Sequence, residues 1–268
     1  ATVREVEEEL GITVFMRNNR GITVTAEGEE FLGYAKQVVE QYHLLENRYL
    51  NVESKKKFSV SMQHYSFAVK AFVQLAKEVG MDEYEFAVHE TKTKEVIDNV
   101  KNLKSEIGVL YLSDFNEKVL RKLFKECDIE FKELFTCNTY VYLWKKHPLA
   151  GKKVITLDDL QEYPCLTFEQ GVNNSFYYAE EMMSTYEYKR VIKADDRATM
   201  LNLMVGLNGF TLCSGIISED LNGDDYAAIP LKESEKMHIG YIKHKGTKLS
   251  KLGEIYIDAL KNYENKVL

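Results

Sequence analysis

The first 28 residues constrain the fold of this chain more than any other stretch. Residues 3–10 place apolar side chains at helical spacing, and Gly11 follows as a helix stop. Two short β-prone runs, 12–15 and 21–24, flank a turn containing asparagine and glycine, which predicts a hairpin. Thr25 then offers an N-cap for another helix. A helix, a hairpin and a helix in this order are typical of the second half of a winged helix-turn-helix, with the hairpin as the wing.

A long helix with a coiled-coil seam is predicted after Thr25. Its apolar residues recur at alternating steps of four and three over about three heptads, and a polar hinge at 53–57 follows. The seam consists of Phe31, Ala35, Val38, Tyr42, Leu45 and Tyr49. Because such a seam needs a partner, we expect these residues to pair two subunits. Packing of one amphipathic helix on its own domain is the alternative.

Beyond the hinge, strands alternate with helices in two successive cycles, which predicts mainly parallel sheets covered by helices. Helices are predicted over 66–79, 93–103, 156–160, 174–185, 197–207 and 250–263. Strands are predicted over 58–62, 84–89, 106–112, 131–144, 163–168, 190–194, 210–213, 226–230 and 237–242. The pattern alone leaves open which cycle the last strand and helix join.

Composition excludes several classes of protein. No apolar run approaches the ~20 residues that span a bilayer, so no membrane association is expected. The four cysteines, Cys127, Cys137, Cys165 and Cys213, are widely spaced and form no CxxC pair. We therefore expect a reducing cytoplasm, with neither a disulfide scaffold nor a metal. The net charge of −7 has the wrong sign for a chain that coats nucleic acid over its whole surface, so any DNA contact must be local.

The predicted wing is such a local basic element. A guanidinium on a β-ribbon can reach phosphates or the adjacent minor groove, and thus adds affinity more than sequence choice. The candidate contacts to double-stranded DNA are Arg4, Arg17, Asn19 and Arg20. Solvated surface charge is the alternative interpretation.

Four segments at the ends of predicted strands could bind a small molecule. In open α/β sheets, ligands bind beyond the carboxyl ends of the strands, near helix N-termini with unpaired N–H groups. The candidate contacts there are Gln63, His64, Tyr65, Ser66, Thr91, Thr93, Asn174, Ser175 and Thr199. Small polar side chains with backbone donors suit a small polar or anionic metabolite. Capping of the helices explains part of the same pattern.

Catalysis is not predicted. His64 has no serine and acid that the sequence can place beside it, and the paired aspartates occur at helix starts or in a turn, where acids are common. There is no glycine-rich phosphate loop, nucleophile elbow or HExxH motif. We expect no catalytic residue, no cofactor and no metal.

The N-terminal stretch resembles the LysR-type transcriptional regulators. The family's pattern is matched by Val6-Glu7, Leu10-Gly11, Val14-Phe15, Arg17, Arg20 and Val24-Thr25 to Gly28. In the body of the chain, His147-Pro148-Leu149 resembles the family's His-Pro-Leu turn, and residues 155–160 resemble the helix after it. Residues 203–212 resemble its Val-x-x-Gly-x-Gly-Ile segment, with Asn208 between the glycines.

The resemblance implies an α/β chain with a partial N-terminal winged helix-turn-helix, a long linker helix and a two-lobed periplasmic-binding-protein-like effector domain. These parts are expected at 1–25, 26–56, 57–143 for the first lobe and 144–236 for the second, with 237–268 returning to the first lobe. Because the chain opens almost inside the recognition helix, we expect the helices that precede it in the family to be missing from this sequence.

The function implied is that of a cytoplasmic, ligand-responsive regulator. It would act as a homodimer or homotetramer on a dyad-symmetric operator. A solute-binding protein of an uptake system and an enzyme on the same scaffold are the alternatives. The wing and the heptad helix favour the regulator, because an uptake receptor needs neither.

Overall fold

A computed structural model describes residues 2–18, 21–49, 55–80, 83–173 and 175–263. The chain forms two compact units, Ala1–Lys55 and Lys56–Leu268. Among the described residues, no helix is both long and apolar enough to cross a membrane.

The first unit begins with helix α1 (Val3–Leu10). Thr2 caps this helix reciprocally with Glu5: the Thr2 backbone N–H donates to the Glu5 carboxylate at 2.8 Å, and the Glu5 N–H donates to the Thr2 hydroxyl at 3.4 Å. The helix ends at Gly11, whose φ of 66° lies in the left-handed region that favours glycine. The predicted helix and its glycine stop are confirmed.

The hairpin consists of β1 (Phe15–Asn18) and β2 (Gly21–Val24), paired antiparallel with Arg17 opposite Ile22. The prediction placed the first strand too early, at 12–15. The reason lies in α1, where the carboxylate of Glu7 accepts hydrogen bonds from the N–H groups of Val14 and Phe15 at 2.6 and 3.0 Å. The segment before Phe15 is therefore bonded to the helix rather than to β2.

Helix α2 (Ala26–Tyr49) follows the hairpin, and the Thr25 hydroxyl caps it by accepting the Gly28 N–H at 2.8 Å. Gly28 is required by close approach, because a Cβ there would lie 2.2 Å from the carbonyl oxygen of Val14. The seam residues Val38, Tyr42 and Leu45 are exposed, whereas Phe31 and Ala35 are half-buried. The side chain of Tyr49 lies outside the described part of the structure. Pairing of two subunits through the seam stays a prediction.

The second unit contains the two α/β cycles. The first comprises β3 (Lys56–Met62), α3 (Ser66–Val79), β4 (Tyr84–Glu90), α4 (Thr93–Lys101), β5 (Ile107–Leu112), α5 (Glu117–Glu126) and β6 (Ile129–Cys137). The second comprises β7 (Tyr140–Trp144), α6 (Leu157–Leu160), β8 (Cys165–Phe168), β9 (Val191–Ala194), α7 (Arg197–Leu207), β10 (Thr211–Cys213), α8 (Glu219–Asn222) and β11 (Tyr226–Pro230). The chain closes with β12 (Met237–His244) and α9 (Lys251–Lys261).

The first lobe is a five-stranded sheet in the order β4-β3-β5-β12-β6. Strands β3, β4 and β5 are parallel, and β12 runs antiparallel between β5 and β6. Helix α9 packs on α3, where the buried Tyr256 hydroxyl donates to the Ala68 carbonyl at 3.1 Å. The final strand and helix thus complete this lobe.

The second lobe is less parallel than the strand-helix alternation predicts. Strand β7 pairs antiparallel with β10 and β11, while β8 and β9 form a parallel pair. The bridge between Cys165 and Phe210 joins the two sheets. The run 131–144 is two strands rather than one, because the chain passes from the first lobe to the second after Cys137.

The helix predicted over 174–185 is wrong. The described part of this stretch contains only a 3₁₀ turn, Phe176–Tyr178. Its backbone carbonyls accept hydrogen bonds from the first lobe, across the cleft between the lobes. Thr93 Oγ1 donates to the Tyr178 carbonyl at 2.7 Å, and Tyr111 OH donates to the Ala179 carbonyl at 3.0 Å. Tertiary hydrogen bonds here replace those that a helix would form.

Candidate ligand-binding site

The segments after β3 and β4 meet at one edge of the first lobe, as predicted. Gln63 is buried, and its Nε2 donates to Thr93 Oγ1 at 2.6 Å. Gln63 Oε1 accepts from the Tyr65 hydroxyl at 2.9 Å and from the Tyr111 backbone N–H at 3.1 Å. Gln63 thus forms hydrogen bonds with other residues of the protein. We infer that it positions the residues around the site.

The N-terminus of α4 is already bonded to the second lobe. The backbone N–H of Thr93 donates to Gln170 Oε1 at 3.1 Å, and Thr93 is buried. Gln170 Nε2 in turn donates to a carboxylate oxygen of Glu180 at 2.9 Å. The backbone N–H of Thr93, which belongs to a predicted ligand contact, is therefore already bonded to the side chain of Gln170.

His64 lies against the second lobe. Its ring stacks on Phe168, with the centroids 3.7 Å apart and the planes at 6°. Its Nδ1 lies 2.8 Å from the Glu180 carboxylate, and its backbone N–H donates to the same oxygen at 2.9 Å. Glu180 thus occupies the position that a ligand carboxylate would take beyond the end of β3.

Ion pairs also join the lobes near the cleft. Arg197, at the start of α7, lies 2.5 Å from Glu90 at the end of β4. Lys92 Nζ lies 3.4 Å from Asp195. These pairs are partly exposed, so water and salt weaken them more than the buried contact of Glu180.

Three of the predicted contact residues form local side-chain hydrogen bonds or lie at the surface. The Thr91 hydroxyl donates to Glu95, and the Thr199 hydroxyl donates at 2.7 Å to Asp196, the N-cap of α7. Ser175 is exposed and precedes the 3₁₀ turn. The cap of α7 explains Thr199, and a local side-chain hydrogen bond explains Thr91. Asn19, Arg20 and Asn174 lie outside the described residues.

A chamber opens next to His64, between the start of α3 and the elements of the second lobe. It encloses about 730 Å³ of space outside the atoms, including its open mouth. Its walls are mainly apolar and include Tyr65, Ser66, Phe168, Met200, Met204, Thr211, Ile216, Ile217 and Met237. The apolar wall was not predicted, because polar side chains at strand ends were the basis of the predicted site. The apolar residues of α7 were its only signal in the sequence.

Glu181 lines the chamber beside Glu180 and is buried. Burial, together with the charge of Glu180, raises the pKa of Glu181 to about 8. Its Oε1 accepts the Phe168 backbone N–H at 2.8 Å. Near neutral pH this carboxyl group is therefore largely uncharged.

The predicted DNA-contacting residues Arg4 and Arg17 are exposed in the first unit. The N–H groups of Phe15 and Val14 lower the pKa of Glu7, and the two arginines contribute less. Glu7 therefore stays ionised and holds α1 and β1 together, while both guanidinium groups face solvent.

Metal binding finds no support in the part of the chain that the structure describes. No three or more histidine, cysteine, aspartate or glutamate side chains come together there in a way that could hold a metal ion.

Residues 81–264 match the family model of the LysR substrate binding domain. The transcriptional dual regulator GltC of Bacillus subtilis is 28% identical over 179 residues, which are 63% of this chain and 54% of GltC. The HTH-type transcriptional regulator CysL of the same organism is 24% identical, over 99% of this chain and 88% of CysL. The chain thus spans about half of GltC but most of CysL.

Solved structures share the fold. A full-length OxyR variant from Pseudomonas aeruginosa has a TM-score of 0.69 at 16% identity, over 97% of this chain and 83% of OxyR. The effector binding domain of QuiR in complex with shikimate has a TM-score of 0.51 at 18% identity, over 80% of this chain and 99% of that domain. These comparisons favour the regulator over the uptake receptor. The chain belongs to the LysR-type transcriptional regulator family.

Proposed function

We propose that this protein is a ligand-responsive transcriptional regulator that binds operator DNA and senses a small molecule between its two lobes. The observation that carries the proposal is the order of parts along one chain. An exposed basic hairpin and a heptad seam, exposed at Val38, Tyr42 and Leu45, precede a two-lobed domain with an internal chamber. Neither catalysis nor solute uptake requires the first two parts.

The DNA-binding role falls to the first unit. Arg17 projects from a two-stranded ribbon and is exposed, as a phosphate or minor-groove contact must be. Arg4 lies on α1, the end of the proposed recognition helix. Asn19 and Arg20, which follow β1 in the sequence, are the other proposed contacts. The seam of α2 would pair subunits into a dimer or tetramer, so the operator would have dyad symmetry. Such a protein acts in the cytoplasm.

The sensing role falls to the second unit. Strand ends, helix N-termini and a chamber meet between the lobes, where open α/β folds bind ligands. A ligand changes the regulator only through its different affinity for the two arrangements of the lobes. The complex of the QuiR domain with shikimate supports this role, since that domain shares the fold.

The wing is the part to test. A duplex selected from a random library would be titrated with the protein and with an Arg17→Ala, Arg20→Ala double variant, at several salt concentrations. Loss of two phosphate contacts should weaken binding and reduce the salt slope by about two. Lys122→Ala, an exposed change on α5, is the matched control and should bind as the parent does. Unchanged affinity and salt slope in the double variant would refute the proposed wing.

A further inference from the structure

We infer that the effector of this domain is a predominantly apolar, uncharged molecule with one hydrogen-bonding group, which binds in the chamber beside Phe168. This ligand class differs from the polar or anionic metabolite that the sequence of the strand ends predicts. The inference rests on the proposed sensing function and names the ligand class of the same site.

The polar end of the cleft has its main donors already occupied. An anion would need the donors around His64, but the Glu180 carboxylate engages the His64 backbone N–H, the His64 ring and the amide of Gln170. Gln170 likewise accepts the backbone N–H at the start of α4. A ligand carboxylate would have to displace a buried carboxylate of this chain.

The charges at the chamber also disfavour an anion. The basic side chains in its wall are His64 and Arg197, and each is paired with a glutamate of the opposite lobe. The wall also contains the carboxyl groups of Glu180 and Glu181, so an entering anion would meet acids rather than free cations. Moving an unpaired charge into such a place costs far more than moving a neutral group.

The rest of the wall is suited to an apolar molecule. Phe168, Ile216 and Ile217 provide flat and branched apolar surface, and Met200, Met204 and Met237 surround it. Methionine side chains are flexible and polarisable, so they adapt to an aromatic or alicyclic body.

One hydroxyl group in this apolar wall indicates where the hydrogen-bonding group of the ligand would lie. Thr211 Oγ1 is buried and has no hydrogen-bond partner within the described part of the chain, and the buried Tyr142 lies opposite it on the neighbouring strand. Burial raises the pKa of Tyr142, and a hydrogen bond with the Asn222 side chain offsets this only in part. Buried polar groups are nearly always satisfied in folded proteins, so the unsatisfied Thr211 hydroxyl in a cavity wall points to a ligand.

Three matched probes test the inference: toluene, benzyl alcohol and benzoate. They share one ring and differ in having no polar group, a neutral hydroxyl or a charge. Binding is followed by the ¹³C-methyl NMR signals of the methionines. We expect benzyl alcohol to shift Met200 and Met204, to leave the wing residue Met16 unshifted, and to bind about ten-fold or more tightly than benzoate.

The hydroxyl is tested by substitution. Thr211→Val should weaken benzyl alcohol about five-fold, the effect of one neutral hydrogen bond, and leave toluene unchanged. Thr211→Ser keeps the hydroxyl and should restore binding, which separates loss of the bond from a packing defect. Thr185→Val, an exposed change in the same lobe, is the matched control.

Either of two results would overturn the inference. Benzoate could bind as tightly as benzyl alcohol at the same methionines, or none of the probes could shift Met200 and Met204. Both results leave the proposed regulator intact as long as DNA binding still depends on the wing, so the two failures can be distinguished.

Discussion

The imidazole Nδ1 of His64 and the backbone N–H of the same residue both meet one carboxylate oxygen of Glu180, at 2.8 and 2.9 Å. The two residues lie 116 positions apart and belong to different lobes. Both side chains are buried, so water does not weaken the contact. An arrangement in which the lobes move apart must break this contact, which places it among those that a ligand could influence.

Glu180→Ala should destabilise the second unit. The change leaves the His64 N–H and the Gln170 amide buried without an acceptor, and we expect the free energy of unfolding to fall by about 2–3 kcal/mol in urea denaturation. Glu180→Gln keeps one acceptor oxygen, so its free energy of unfolding should fall by less. Glu187→Ala, a nearby exposed change, should stay within about 0.5 kcal/mol of the parent. Equal stability of all variants would mean that the contact contributes nothing.

Glu181 should make stability depend on pH. Its pKa is about 8 in the folded protein against an ordinary value of 4.5, because burial and Glu180 favour the neutral form. Between these pH values the unfolded chain has released this proton while the folded protein retains it. The contribution of Glu181 to the free energy of unfolding should therefore fall as pH rises from 4.5 to 8. Above pH 8 this contribution should become constant.

Glu181→Gln isolates this effect. The amide keeps an oxygen for the Phe168 N–H but cannot ionise, so the variant should match the parent near pH 4.5 and exceed its stability near pH 8. Urea midpoints across this range measure the difference. Glu187→Gln should retain the slope of the parent. A parallel pH profile for Glu181→Gln would show that the carboxyl titrates normally in the folded state.

The cysteines should react slowly in the folded protein. Burial raises the pKa of Cys137 and of Cys213 to about 12, and it raises the pKa of Cys165 and Cys127 as well. Since the thiolate is the reactive form, we expect slow labelling by Ellman's reagent at neutral pH and rapid labelling of all four thiols in urea. Peroxide should leave DNA binding unchanged, because it too reacts with thiolates. Rapid labelling of one thiol without denaturant would reveal an accessible thiolate.

Local patterns were enough to predict much of the fold. Helices α3 and α7 begin and end at the predicted residues, because apolar spacing and caps such as Asp196 act within one turn. Helix α5 was not predicted, although Leu120 and Phe124 place one apolar face on the core. The shift of β1 depends on Glu7, whose carboxylate bonds seven and eight residues away. No strand pattern encodes such a contact.

The candidate site was harder to predict than the fold. Caps and ligand contacts use the same small polar side chains, so Thr199 resembled a ligand contact until its bond to Asp196 was known. Glu180 is unremarkable in sequence and acquires its role only when His64 and Gln170 are brought to it. The wall of the chamber likewise unites segments far apart along the chain. Long-range contacts decide the site, and periodicity cannot show them.

Asn208 offers a last test, because it lies between the two glycines of the segment that resembles the family's pattern. Asn208 ends α7 with a φ of 51°, in the left-handed region, and its Oδ1 accepts the Trp144 indole N–H at 2.9 Å. Asn208→Gly keeps the backbone conformation but loses the indole bond, so it should cost about 1 kcal/mol. Asn208→Ala loses the indole bond and also disfavours the left-handed backbone conformation, so it should lower the free energy of unfolding by about 2 kcal/mol. Gly206→Ala, in the helix with open space at its Cβ, should instead stabilise by roughly 0.5–1 kcal/mol. Urea denaturation of the three variants gives the order, and an Asn208→Gly variant as stable as the parent would show that the indole bond contributes nothing.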